Sequence, residues 1–394
     1  MNEFLGYEVG VFINDSPSSL HPQLFSFKIS DSIYSTFPSL DLYVVDSTGF
    51  LLEYGNYTQG VPINIKYGNG DLGGMIDADF RSVGRDNVGS TTNSGGHGLT
   101  GRLAIKGIHD SFFENREALN LAFKDKLVSD VVKSLFEGEE KFHVESTKGK
   151  IEAYSFSEPY FFTRDVLIPQ AAVGDIPYPF LFFRQLDGSL HFASTNKLES
   201  NSPASKLYYG GTDNDSLYNN LALFLPYNEG LDKTLNYFNA SGLVLCDDLA
   251  AIREKKTIDI SAKHKIPVIG SPIIENNHYF HRQFNPAVDY DQITTGLFAN
   301  AMLPGYFVDK ALARGVFRPD LFAGKTVEVF VAIGGTGEDG ELSETFSSNW
   351  LIEQSHHIWN GQDNQGMSEF ILCRSSVIPH RESLINDLAF SGEE

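Results

Sequence analysis

Asp46-Ser47-Thr48-Gly49 follows the apolar run Leu42–Val45. In an aspartic protease, a strand delivers a catalytic carboxylate into a Ser/Thr-Gly turn in just this way. That chemistry needs two such loops, because one carboxyl must stay protonated beside an ionised partner. Here the Gly falls one residue too late and the string occurs once. Asp46 therefore reads as the residue that closes a turn, with Gly49 supplying a left-handed backbone. Gly68-Asn69-Gly70-Asp71-Leu72-Gly73 satisfies G-x-G-x-x-G, but a dinucleotide loop must open a helix whose N-terminus holds the pyrophosphate. The following GMIDADFRS reads as a strand, which makes these glycines a hairpin turn. His278 with His281, and adjacent His356 and His357, come nearest to metal-ligand spacing. Neighbours on a strand point to opposite faces, so His356 and His357 cannot share one ion. Cys246 and Cys373 are too few for a disulfide framework and read as two buried free thiols. No residue earns a catalytic, cofactor-binding or metal-binding assignment, and no cofactor is expected.

The elements that would position such residues read as mainly β. Among 394 residues there are 31 Phe and 17 Tyr, and the short apolar runs are separated by Gly, Asn and Ser. Leu24–Ile29 alternates, with Leu24, Ser26 and Lys28 on one face and Phe25, Phe27 and Ile29 on the other. Strands are predicted over 40–45, 50–54, 61–67, 75–81 and 101–108, with Ile63, Ile65 and Tyr67 sharing a face. Ser82 to Thr100 reads as a polar, Gly-rich hairpin tip. Beyond Asp110 the pattern mixes. Lys126–Phe136 carries a helical stripe with Gly138 as its C-cap, and 163–172 reads as a helix broken by Pro169. Two strands, 180–185 and 189–193, flank Asp187-Gly188, a hairpin signal. A third β region comprises 206–210, 217–225 and 292–301, interrupted by a stretch of different texture. The C-terminal part predicts a strand over 325–333. It also predicts a hairpin of 350–359 with 367–374, with Trp350, Ile352, His356 and Ile358 on one face. The closing RESLINDLAFSGEE reads as a short helix or a disordered tail.

Acidic residues outnumber basic ones 51 to 30, a formal charge of −21. Such a surface repels phosphate backbones, so specific nucleic-acid binding is not expected. The first ten residues lack a basic n-region and an apolar h-region, which predicts no signal peptide. No apolar stretch reaches membrane-spanning length, so no membrane partner is expected.

Residues 27–49, FKISDSIYSTFPSLDLYVVDSTG, resemble the N-terminal β-hairpin of central baseplate hub proteins of contractile-tailed bacteriophages. In that family an Asp-Ser-hydrophobic-Tyr segment follows a first strand, and a later strand ends in an Asp-Ser turn. Residues 293–308 (ITTGLFANAMLPGYFV) and 322–331 are similar to its second barrel. The pair 348–359 and 368–376 (SNWLIEQSHHIW, SEFILCRSS) resembles the closing hairpin shared with late-control proteins and VgrG-type spike heads. The resemblance implies two tail-tube-like β-barrel domains, residues 1–110 and the split 201–236 with 286–378. A mixed α/β domain at 111–200, an inserted subdomain at 237–285 and a tail at 379–394 would complete the chain. In this reading Asp46–Gly49 is a turn between barrel strands and Ser30–Tyr34 the connection that starts the second. The function implied is a homotrimeric virion hub, not an enzyme. Its pseudo-sixfold ring joins the hexameric tail tube to the trimeric central spike and lines the channel for DNA ejection. The implied partners are the chain itself, the spike, and a tube or tube-initiator protein, with wedge and tape-measure proteins as further candidates. Its place would be the tail baseplate, assembled in the host cytoplasm. Two alternatives stay open: a tail-tip hydrolase of cell wall or polysaccharide, and the spike head of a related injection apparatus.

Overall fold

The computed structural model describes residues 8–13, 23–46, 60–69, 74–92, 99–114, 116–174, 178–210, 217–228, 240–246, 252–257, 276–280, 306–307, 309–333, 341–361 and 364–375, together with Gly296, Ala299 and Leu303. The first six strands are β1 (Glu8–Ile13), β2 (Leu24–Ser32), β3 (Ser39–Asp46), β4 (Pro62–Asn69), β5 (Gly74–Thr92) and β6 (Leu99–His109). A mixed stretch follows: β7 (Leu121–Leu127), α1 (Val128–Leu135), β8 (Phe142–Val144), β9 (Lys150–Ser155), α2 (Pro159–Phe162), β10 (Phe180–Arg184), β11 (Leu190–Ser194) and α3 (Thr195–Glu199). Next come β12 (Ser205–Tyr209), β13 (Leu221–Asn228), β14 (Ala240–Cys246), β15 (Ile252–Thr257) and β16 (Asn276–Phe280). The last strands are β17 (Asp309–Val316), β18 (Thr326–Ile333), β19 (Glu341–Leu342), β20 (Ser348–Asn360) and β21 (Gln365–Arg374). The protein is thus mainly β with few helices, and among the described residues no helix is long and apolar enough to cross a membrane.

One curled, largely antiparallel sheet organises the chain, in the order β1-β4-β5-β6-β3-β2-β20-β21-β17-β13. Strand β20 joins its N-terminal and C-terminal strand sets. Residues 354–360 of β20 pair with β2, whereas 348–351 pair with β18, which in turn pairs with β12. The changeover falls at a bulge: Ile352 lies opposite Leu372 and Gln354 opposite Ile371, leaving Glu353 unmatched. A single extra residue reverses which side chains face inward. Trp350 and Ile352 therefore enter one core with Phe224, Val327, Val329 and Phe370. Trp359 enters another with Phe27, Ile29, Ile63, Ile65 and Tyr67. Each fully buried side chain of this size contributes about 1.5–3 kcal/mol, so β20 is anchored at both ends. The unbroken alternation expected over 350–359 is corrected here, because His357 rather than His356 lies on the buried side.

Other expectations also need correction. Leu24 is buried along with Phe27 and Ile29, because a bulge at Phe25 shifts the register. Strand β2 runs on through Ser32, so Ser30–Ser32 belongs to the strand and not to a connection. Most of the supposed tip at 82–100 is ladder: β5 pairs with β6 through Thr92, and irregularities at Val83 and Val88 break the alternation that would have revealed it. Backbone pairing does not require an apolar sequence. Within the expected strand at 292–301 the described residues, Gly296 and Ala299, are helical instead. Gly296, Ala299, Leu303 and Tyr306 are helical and share one face. Gly296 sits so close to the Gln170–Ala171 backbone that a Cβ there would fall 2.7 Å from the Ala171 carbonyl oxygen. The predicted stripe of α1 is present, with Val128, Val131 and Val132 buried. The Asp187-Gly188 hairpin joins β10 to β11, with Gly188 at φ 82°. The predicted strand at 50–54 and the C-terminal tail lie outside the described residues.

Candidate functional site: a buried polar seam

The residues singled out for their chemistry are dispersed. Asp46 ends β3, with its backbone opposite Gly101 of β6, and Ser47–Gly49 lie outside the described residues. The G-x-G-x-x-G string bridges an antiparallel pair, with Gly68 opposite Met75 and Asn69 opposite Gly74. Gly68 has φ 143°, and a Cβ on it would collide with the Gly74 carbonyl. A strand, not a helix, follows, so this glycine serves a close backbone approach. His278 lies in β16 and Cys246 in β14, with side chains outside the described residues, as is His281. Cys373 is buried and is not part of a disulfide. His356 and His357 face opposite sides of β20. His356 Nδ1 lies 2.9 Å from Ser30 Oγ. Among the described residues no three His, Cys, Asp or Glu side chains converge as metal ligands.

The structure instead gathers polar groups where β20 meets β2. Asp31 follows Phe27 and Ile29 on the inward face of β2, and the pairing of β2 with β20 sets it opposite Ser355. Ser355 Oγ donates to Asp31 Oδ1, and the Ala323 amide donates to Oδ2 at 3.1 Å. Ser355 Oγ also lies 3.3 Å from His357 Nε2, two residues along the same face. The other ring nitrogen, Nδ1, lies 2.9 Å from Ser368 Oγ on β21, which accepts the Arg318 amide at 2.8 Å. Asp31, Ser355 and His357 are 3%, 0% and 0% exposed. Burial pushes Asp31 up to about 7, against the lowering effect of the hydrogen bonds from Ser355 and the Ala323 amide. Burial likewise pushes His357 down to about 3, which keeps the ring neutral.

These are the residue types of a nucleophilic triad, but their order is wrong for one. A triad sets His between the carboxylate and the nucleophile, whereas here Ser355 stands between Asp31 and His357, sealed from any substrate. The arrangement instead satisfies buried polar atoms across a junction of strands. Beside it, Lys310 Nζ meets Glu353 Oε1 at 2.9 Å on the bulge, and the Glu353 carbonyl accepts the Ile33 amide at 3.0 Å. The sequence carries a signal for both groups: Asp31 continues the Phe27, Ile29 alternation, and His357 shares parity with Trp359.

An open cleft of about 410 Å³ lies nearby, lined in part by Tyr34, Phe37, Phe112, Tyr160, Phe161 and Arg164. The charges on and beside it are neutralised locally. Arg164 pairs with Asp165 and Arg116 with Glu158, and each guanidinium also covers a ring, Phe161 and Phe112 respectively. It presents aromatic surface without net charge or a reactive pair.

No family model and no curated protein sequence matches the chain. Its fold, however, is similar to solved tail proteins along nearly their whole length. A tail protein from Neisseria meningitidis MC58 superposes with a TM-score of 0.56 at 12% identity, over 94% of this chain and 98% of that one. The 43 kDa tail protein of prophage MuSo2 from Shewanella oneidensis gives 0.57 at 10% identity, over 94% and 99%. The chain has the fold of these tail proteins.

Proposed function

We propose that this chain is a structural protein of a phage tail baseplate, a homotrimeric hub between tail tube and central spike. The observation that carries the reading is the agreement of fold with two tail proteins over 94% of this chain and at least 98% of each of theirs. The seam supports it: the best-defined polar cluster is sealed and ties two strand sets together, as a load-transmitting part requires. In this reading residues 1–110 and 201–236 with 286–378 form two tube-like barrels. Three copies then present six such units around a channel, which lets a threefold spike meet a sixfold tube. The surplus of acidic residues, 51 against 30, suits a channel through which DNA slides without sticking. The work is geometric, so large interfaces rather than an active site carry it.

Electron microscopy of the protein mixed with its spike partner tests this. The expected particle is a threefold ring with six similar lobes. A monomer beside unbound spike, together with hydrolysis of peptidoglycan or polysaccharide, would overturn it in favour of a tail-tip enzyme.

A further inference from the structure

The seam holds more than its packing needs. Asp31, Ser355, His357 and Ser368 form one file through three strands, β2, β20 and β21, with the Ala323 and Leu186 amides also on Asp31 and the Leu321 backbone also on the His357 ring. Each hydroxyl has one proton and can point either way, and a neutral imidazole carries its proton on one nitrogen or the other. The file can therefore run in two directions. With Asp31 ionised, the Ser355 hydroxyl donates to the carboxylate, His357 donates from Nε2 to Ser355, and Ser368 donates to Nδ1. With Asp31 protonated, the carboxyl donates to Ser355, Ser355 donates to Nε2, and His357 donates from Nδ1 to Ser368. In both, Ser368 Oγ accepts from the Arg318 amide; in the second its own hydroxyl proton has no acceptor among these partners, so that direction forms only when Asp31 carries the proton. The four side chains hold three of these mobile protons in the first state and four in the second, so the change takes up one proton from solvent.

We propose that this file is a two-state relay in which a proton on Asp31 is read out as the tautomer of His357, coupling β2 to the β20–β21 hairpin. The geometry is the ground for it: every link is buried, and among the described residues the Asp31 carboxylate is held by hydrogen bonds rather than by an ion pair. The groups that face Asp31 are the amides of Ala323 and Leu186, the Tyr67 ring and, further off, Lys325. His357 has a hydrogen bond with the Leu321 backbone and is influenced electrostatically by Asp320 and, from the other face of β20, His356, with Tyr67, Phe317 and Phe370 packed around the ring. Burial sets the carboxyl to titrate at about 7, so both states are populated near neutral pH. Opposed directions of one hydrogen-bond chain exclude each other, because a mixed file leaves two donors or two acceptors face to face.

Nitrogen-15 NMR of histidine-labelled full-length protein from pH 5.5 to 8.5 tests the relay, with the His357→Gln spectrum assigning the resonance. The expected result is a neutral ring throughout that shifts from the Nε2–H to the Nδ1–H tautomer as pH falls. Asp31→Asn should hold His357 as Nδ1–H at every pH, because the Asn amide donates to Ser355 as the protonated acid does. Ser355→Ala cuts the file, and the tautomer should then stop responding to pH even if Asp31→Asn fails to fold. A single unchanging tautomer in the wild type would overturn the relay, as would a pH-driven exchange that survives Ser355→Ala.

Discussion

Lys310 Nζ lies 2.9 Å from Glu353 Oε1, with both side chains almost fully enclosed, at the residue where β20 leaves β18 and takes up β2. The pair holds the bulge on which both strand sets depend. Removing one partner leaves a charge buried without its counterion, so Lys310→Met or Glu353→Gln should each cost about 3–5 kcal/mol. Replacing both by methionine should recover much of that loss. Urea midpoints of the two single variants and the double variant, read as a cycle, check the coupling. Additive losses would show that the pair does not act as a unit.

A second expectation concerns Gly324 in the loop that packs against this junction. Its φ is 85°, and a Cβ would fall 2.6 Å from the Phe183 ring and 2.8 Å from Gln185 Nε2. Gly188, at φ 82°, has open space around it. Gly188→Ala should cost about 1–2 kcal/mol from backbone strain alone. Gly324→Ala should add roughly 1–3 kcal/mol for overpacking. Thermal or denaturant unfolding of the two variants, side by side, separates the contributions.

The third expectation is a pH dependence with opposed parts. Burial lowers His109 and His191 to about 4 and His357 to about 3, from 6.5. The unfolded chain therefore binds protons that the folded chain refuses, and this stability, full above 6.5, is lost as pH falls toward 4. Asp31 runs the other way. It keeps its proton up to about 7 when folded but only to 3.8 when unfolded, so it adds stability as pH falls from 7 to 4. Asp31→Asn should thus lose stability more steeply on acidification than the wild type, and His357→Gln less steeply. Denaturant midpoints at pH 4.5, 5.5, 6.5 and 7.5 read both slopes.

Legibility in the sequence followed how local the cause was. The stripe of α1, the Ile63–Ile65–Tyr67 face and the Asp187-Gly188 turn are set within a few residues and could be read directly. Bulges could not. The extra residue at Glu353 is visible only in the mismatch between β20 and β21, and it moved His357 into the core in place of His356. The ladder through Ser82–Thr92 was hidden because two irregularities scramble its alternation. The helix through Gly296 and Ala299 was masked by Ile293, Thr294 and Thr295, β-branched residues that favour strands. The Asp-Ser-Thr-Gly string at Asp46 is conspicuous in the sequence but ends a different strand, β3. The carboxylate that organises the junction is Asp31, whose role depends on a partner strand more than 300 positions away.

Asp46→Ala is accordingly expected to be mild. Its backbone position at the end of β3 survives the change, and a lost turn bond costs about 1 kcal/mol. A plaque or assembly assay should register little difference. Complete loss of infectivity in a well-folded variant would return Asp46 to consideration as a functional carboxylate.

Trimerisation is the most direct test of the hub assignment. Multi-angle light scattering on the purified chain, alone and with its spike partner, measures it. A hub gives three chain masses, either alone or as a discrete complex once the spike is added. A single chain mass at every concentration, unchanged by the spike, would contradict it.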